Sequence, residues 1–281
     1  MQIYKTIQPI RDASRAVRLS GKRVGFVPTM GALHEGHLSL VRAAKAQSDI
    51  VVASIFVNPL QFGPNEDLAK YPRTFERDSK LLEKEGVTFL FAPSVEEMYP
   101  EKSITHVDVE GLSGKLCGRS RPGHFRGVST VVAKLFNIVE PNIAFFGQKD
   151  AAQLAIIHRT VRDLNIPVGI VAGPIVRESD GLAMSSRNAY LDSAQRKSAL
   201  ALYRSLQHVK DIFEQGESNS AMLIAAGKQI LNQEPTIQLD YLEVVDPDTL
   251  DPVEDIHGKT LVAVAGFLGT TRLIDNIQLL A

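Results

Sequence analysis

The chain of 281 residues has no tryptophan and one cysteine, Cys117. A single thiol can neither close an intrachain disulfide nor build a cysteine-rich zinc site. Charge of one sign is not in excess either. Lys and Arg number 31 against 32 Asp and Glu, a formal net charge of -1. Such a chain has no global positive field to attract a nucleic acid or an anionic membrane, so neither is expected as a partner. Long apolar runs are also missing. Residues 50–57 (IVVASIFV) are among the longest, well short of the ~20 residues that cross a bilayer. The first residues, MQIYKTIQPIRD, carry charges where a secretory signal would be unbroken and apolar. A cytoplasmic location is expected. The rest is ordinary: 44% hydrophobic and 22% charged residues, enough to bury the core of a large domain with a smaller one beside it.

Residues 23–27 (RVGFV) form a short apolar run closed by Pro28 and read as a buried strand. Residues 36–46 place Leu38, Val41 and Ala44 at helical spacing. Residues 50–57 are β-branched in the manner of a central parallel strand. Strand, helix and strand in this order make a βαβ unit with a right-handed crossover. The alternation continues with a helix over 74–85, a strand over 87–91, a helix over 127–139, a strand over 143–146, a helix over 150–164 and a strand over 168–171. The expected class is α/β, a Rossmann-like doubly wound parallel sheet with its ligand beyond the carboxyl ends of the strands. After about residue 175 the pattern changes. Helices are expected over 193–213 and 220–231, and strands over 237–245, 261–267 and 271–279. That is a smaller C-terminal α+β domain. The expected division is 1–175 for nucleotide and acid, and 176–281 closing over the nucleotide site.

His34 and His37 follow the first strand and open a helix. Helix N-terminal amides favour an anion there. Two imidazoles beside them could donate to phosphate oxygens as charge develops on phosphorus. Gly36 between them leaves room for a flat base or ribose. Elsewhere in a chain, two histidines at this spacing would more often be a helix cap and an exposed ring. Zinc is a weaker reading, because H-E-x-H is not H-E-x-x-H and no third ligand is suggested. Asn58 and Gln61 follow the strand 50–57; an amide both donates and accepts, as a polar acid requires. Asn58 before Pro59 is also ordinary turn chemistry. Lys149 is a point charge for a phosphate, and Asp150 can cap the next helix. Arg187 follows two serines on a polar junction loop able to wrap a triphosphate.

The segment His34-Glu35-Gly36-His37 resembles the H-x-G-H motif of the nucleotidyltransferase superfamily. The longer string 28–37 (PTMGALHEGH) resembles the pantothenate synthetase family, ligases of pantoate and β-alanine. The likeness continues through FVNPLQFG (56–63), YPR (71–73), RPGHF (121–125), FFGQKD (145–150) and MSSRN (184–188), in family order. YLEVVD (241–246) agrees less distinctively. The resemblance implies ATP-dependent ligation through a pantoyl adenylate, with Mg2+, in a homodimer. It implies ATP contacts by Pro28, Met30, Gly31, Ala32, Leu33, His34, Glu35, Gly36 and His37. Further ATP contacts fall on Gly147, Gln148, Lys149, Asp150, Val176, Met184, Ser185, Ser186 and Arg187, with Lys149 on the phosphates and Asp150 on the ribose. Pantoate and β-alanine fall to Gln61, Asn58, Gln153 and Met30. His34, His37, Lys149 and Arg187 become the catalytic set. The family gives His37 a proton-donor role, whereas the physical reading makes both rings donors to phosphate. The lysines of the related K-M-S-K-S loop are missing, so Arg187 supplies the charge. Asp78 is the candidate magnesium contact; some relatives carry a second acid where this chain has Arg77. A transferase acting on a phosphorylated acceptor would want a basic group beside Asn58 and Gln61. A tRNA synthetase would want an RNA-binding appendage, and a nucleotide sensor would not need both histidines.

Overall fold

The computed structural model describes residues 1–64 and 66–281. The first part runs β1 (Gln2–Tyr4), α1 (Ile7–Leu19), β2 (Val24–Thr29), α2 (Glu35–Gln47), β3 (Ile50–Ile55), α3 (Phe75–Glu85), β4 (Phe89–Phe91), α4 (Val95–Met98), α5 (Cys117–Ser120), α6 (His124–Val139), β5 (Ile143–Gly147), α7 (Ala151–Asp163) and β6 (Gly169–Gly173). Its six strands pair in parallel in the order β1-β4-β3-β2-β5-β6. The run 50–57 is buried because β3 lies inside this sheet, helices covering both faces. Phe26, Val52 and Ala144 pack on α6, whereas Val27, Ala53 and Phe145 pack on α2. The strand order reverses between β2 and β5, and ligands bind at such a switch point.

The second part holds α8 (Ser193–Ser198), α9 (Leu200–Glu214), α10 (Ser220–Leu231), β7 (Ile237–Val245), β8 (Thr260–Leu268) and β9 (Thr271–Leu279). The three strands form an antiparallel sheet. One face packs on α9 and α10 through Leu202, Leu206 and Leu223. The other packs on α7: Ala151, Ala152, Ala155 and Ile156 meet Tyr241, Leu261 and Ala263. This places the second sheet beside the turn that joins β5 to α7.

Three expectations change. The helix expected over 193–213 is interrupted at Ala199. The helix expected from 127 starts at His124, so RPGHF ends inside its first turn. β1 and α1 had no counterpart in the sequence reading. β1 has only three residues, too short to stand out, whereas α1 is amphipathic: Ile7, Ile10 and Val17 lie at helical spacing and pack on the core, a stripe broken up by the charged residues between them.

Candidate active site

The chain leaves β2 through a loop that would not hold its shape alone. Gly31 has φ 80 and Ala32 φ 50, a left-handed pair that costs energy at the alanine. Asp78, fully buried on α3, holds the loop from below. Its two carboxyl oxygens accept the Ala32 amide at 2.7 Å, the Leu33 amide at 3.0 Å and the Thr74 hydroxyl at 3.0 Å. Asp78 was expected as a magnesium contact; here it is fully buried, and three of its roughly four acceptor sites serve the Ala32 and Leu33 amides and the Thr74 hydroxyl. Among the described residues no group of three or more His, Cys, Asp or Glu is placed to hold a metal ion.

The loop ends in a reciprocal cap. The His34 Nδ1 accepts the Gly36 amide at 3.2 Å, and the His37 Nδ1 accepts the His34 amide at 3.3 Å. Both rings therefore start α2, as the box of a capping residue and its third neighbour does. With both Nδ1 atoms accepting, each neutral ring carries its proton on Nε2, the atom left for the cleft. Burial, then the Lys149 charge, lowers His34 to about 4. Burial, then His34 and Lys149, lowers His37 to about 3. The pair is uncharged at neutral pH and can donate hydrogen bonds. Gly36 is required for a different reason than room for a ligand. A Cβ there would lie 2.9 Å from the His34 Cε1, so it would displace the ring before it met any ligand.

Lys149, Asp150 and Gln153 reach the same space from the end of β5 and the start of α7. At Gly147 an added Cβ would meet nothing within 4 Å, so the room beside that backbone is open. The junction loop closes the far side. Ser185 caps it by accepting the Arg187 amide, and Ser186 donates to the Ala32 carbonyl at 3.1 Å. Arg187 makes two bonds of 3.0 Å to Asp67. Burial opposes its charge, but Asp67 outweighs that and raises its pKa above the ordinary value.

On the opposite rim Asn58 and Gln61 divide the work unequally. The Asn58 amide donates to the Gln61 Oε1 at 3.2 Å and the Gly127 carbonyl at 3.0 Å. Its oxygen accepts from the Leu60 amide and the Tyr99 hydroxyl. Burial pushes Tyr99 up to about 12, which keeps that phenol protonated. Asn58 has no bond left for an acid, a correction to its reading as a substrate contact; it aims Gln61. The Gln61 Nε2 lies 2.8 Å from the Met30 sulfur, leaving its second N–H for the cleft. Behind it, the His124 Nδ1 donates to the Gln61 carbonyl at 2.8 Å while Arg121 faces the His124 Nε2 and pairs with Glu66. Burial first, then Arg121, lowers His124 to about 4. Arg121 and His124 of the RPGHF string thus support Gln61 from behind.

The residues expected from sequence converge on one cavity of 230 Å³ at the switch point, which opens into an interdomain cleft of 740 Å³. Pro28, Met30, His34, Gly36 and His37 line it from the end of β2 to the start of α2; Val176, Met184, Ser185, Ser186 and Arg187 line it from the junction. Gly31, Ala32 and Leu33 lie behind its wall. Glu35 turns outward to Arg42, and Gln148 turns to Asn276. Tyr71, Tyr99, Gly127 and Asn276 were not singled out as site residues. Tyr71 stood in the YPR string; the others show no local signal.

Two neutral imidazoles beside a lysine on one rim and an aimed amide on the other are the features expected in the cleft of an α/β enzyme that activates an acid with ATP. A family model described as pantoate-beta-alanine ligase matches residues 2–278. The chain is 57% identical to the pantothenate synthetase of Koribacter versatilis over 281 residues, 100% of this chain and 97% of that one. It is 58% identical to that of Thermotoga neapolitana over 276 residues, covering 98% and 99%. Among solved structures, pantothenate synthetase from Thermus thermophilus superposes with TM-score 0.94 at 49% identity, covering 99% of both chains. Pantoate-beta-alanine ligase from Francisella tularensis, complexed with β-γ ATP and β-alanine, superposes with TM-score 0.80 at 34% identity, covering 99% and 97%. The chain belongs to the pantoate–β-alanine ligase family, the pantothenate synthetases.

Proposed function

We propose that this cleft runs the family reaction in two steps. The pantoate carboxylate attacks the α-phosphorus of MgATP, and pyrophosphate leaves. The β-alanine amine then attacks the carbonyl of pantoyl adenylate, and AMP leaves as the amide forms. Activation is needed because a free carboxylate is a poor acyl donor to an amine. The chain contributes position and charge. His34 and His37 donate through Nε2 to the phosphate oxygens, and Lys149 adds a positive charge beside them. Gln61 and Gln153 orient pantoate, Asp150 holds the ribose, and Ser185, Ser186 and Arg187 take the outer phosphates once Arg187 leaves Asp67. Magnesium enters on the triphosphate as part of the substrate, the way this ion commonly arrives. The single observation that carries the reading is the pair of neutral, backbone-locked imidazoles beside Lys149.

Residues 1–175 supply most of both pockets, and 176–281 supply the junction loop and the wall that closes on ATP. The enzyme works as a cytoplasmic homodimer, as family membership implies. Among the described residues no helix is long and apolar enough to cross a membrane. The test is pyrophosphate release with each substrate omitted in turn. Without β-alanine we expect a single turnover, about one equivalent per site. Without pantoate we expect none, and with all three continuous turnover with AMP and an amide as products. Release that ignores pantoate, or a dinucleotide-like product, would overturn the reading.

Gly127 provides a second check. A Cβ there would lie 2.2 Å from the Leu60 carbonyl oxygen and 2.7 Å from the Gln61 Cα. Both are backbone, so Gly127→Ala must shift the segment that carries Gln61. A shift of about 1 Å can cost about 100-fold. We expect KM for pantoate to rise about 10-fold or more with KM for ATP nearly unchanged, as measured by steady-state kinetics.

A further inference from the structure

Two consecutive residues of β9 reach the nucleotide site from the second domain. Side chains alternate across a strand, so Asp275 and Asn276 leave opposite faces of the sheet. The Asn276 amide, buried at 2% exposure, donates to the Gln148 carbonyl at 3.0 Å and the Lys149 carbonyl at 2.9 Å. Its oxygen receives the Gln148 side chain at 3.4 Å. Those bonds fasten the turn that presents Lys149. Asp275 accepts two bonds from Arg177, at 2.6 and 2.9 Å. Arg177 in turn donates to the Gly181 carbonyl at 3.0 Å and stacks on Tyr203 at 4.5 Å. Those contacts fasten the hairpin from which Ser185 and Arg187 project.

We infer that Asn276 is a positioning residue for adenylation: its amide, held by β9, sets the place of Lys149 relative to the serines and arginine of the junction loop. The neighbouring Asp275–Arg177 pair anchors the other half of the same frame. Both carbonyls that Asn276 binds belong to the turn itself, and among the described residues no other side chain bonds to either. Without the amide, two carbonyls lose their side-chain donor and the turn loses its tie to β9, free to move by the distance that matters for phosphoryl chemistry.

The inference rests on Lys149 contacting the triphosphate, so the experiment reads both. Asn276→Ala, Asn276→Ser, Lys149→Ala and the double variant Asn276→Ala/Lys149→Ala are assayed in the full chain by pantoate-dependent pyrophosphate release, with thermal melting as a folding control. Asn276→Ala is expected to lower kcat/KM for ATP by about 10- to 100-fold while KM for pantoate stays within about two-fold. Asn276→Ser keeps one donor and is expected to fall between Ala and the unmodified chain. In the Lys149→Ala background the loss from Asn276→Ala should shrink to about three-fold or less, because residues that act through one another are not additive. Multiplying effects, unchanged kinetics of Asn276→Ala, or an equal rise in both KM values would overturn the inference. Should Asn276→Ala fail to fold, Asn276→Ser paired with Lys149→Ala decides it by the same rule. Unimpaired Lys149→Ala would instead show that the reading of Lys149 is at fault, and the role of Asn276 falls with it.

Discussion

Asp78→Ala is expected to abolish ligation and to lower unfolding free energy by about 3 kcal/mol. The substitution removes the oxygens that hold the Ala32 and Leu33 amides and the Thr74 hydroxyl. Each buried donor left without a partner costs about 1–3 kcal/mol. The left-handed conformation at Ala32 loses its clamp at the same time, so the loop relaxes and the cap at His34 goes with it. Urea denaturation gives the stability change, and pyrophosphate release gives the activity. Magnesium separates this account from metal ligation. A lost ligand would be rescued in Asp78→Asn by excess Mg2+, whereas a lost clamp would not. Restored turnover at high Mg2+ would return Asp78 to the metal.

His37→Ala should cut pantoate-dependent pyrophosphate release by about 100-fold or more, the scale of losing one donor aimed at developing charge. Unchanged turnover would sink the proposed chemistry. His37→Gln, which can place an N–H near the lost Nε2, should retain more activity than Ala. Because His34 lies at about 4 and His37 at about 3, neither ring produces an inflection in kcat/KM between about pH 5 and 8. Stability carries the opposite signature. The unfolded rings take protons near 6.5, the folded ones only near 4 and 3. Their contribution is therefore complete above 6.5 and is lost as pH falls through that window.

Much of the sheet was legible because each strand is an apolar run bounded by turn residues. β7 and β9 match their expected limits, and β3 differs only at its end. The histidine pair was legible from its place after the first internal strand and from the string around it. What stayed hidden shares one physical property: its partners lie far away in sequence, and most of them are backbone groups. Asp78 serves amides more than forty residues upstream. Asn58 bonds to the Gly127 carbonyl across the cleft wall. Asn276 sits in a regular alternating strand, where nothing marks one polar residue as a clamp for a turn in another domain. Sequence motifs report the atoms that face a ligand. They are silent about atoms whose work is to hold a carbonyl or an amide in place.

The close crossing at Gly127 bears on how this enzyme could change its diet. One wall of the cavity beside Gln61 is main chain there, the Leu60–Gln61 peptide lying against α6. Main chain cannot be trimmed. The wall contributed by Val128, Val131, Val132 and Leu135 is made of side chains and can be. Drift toward a larger or smaller acid would therefore run through side-chain walls such as this face of α6, while the Gln61 amide, carried on the packed main chain, stays where it is.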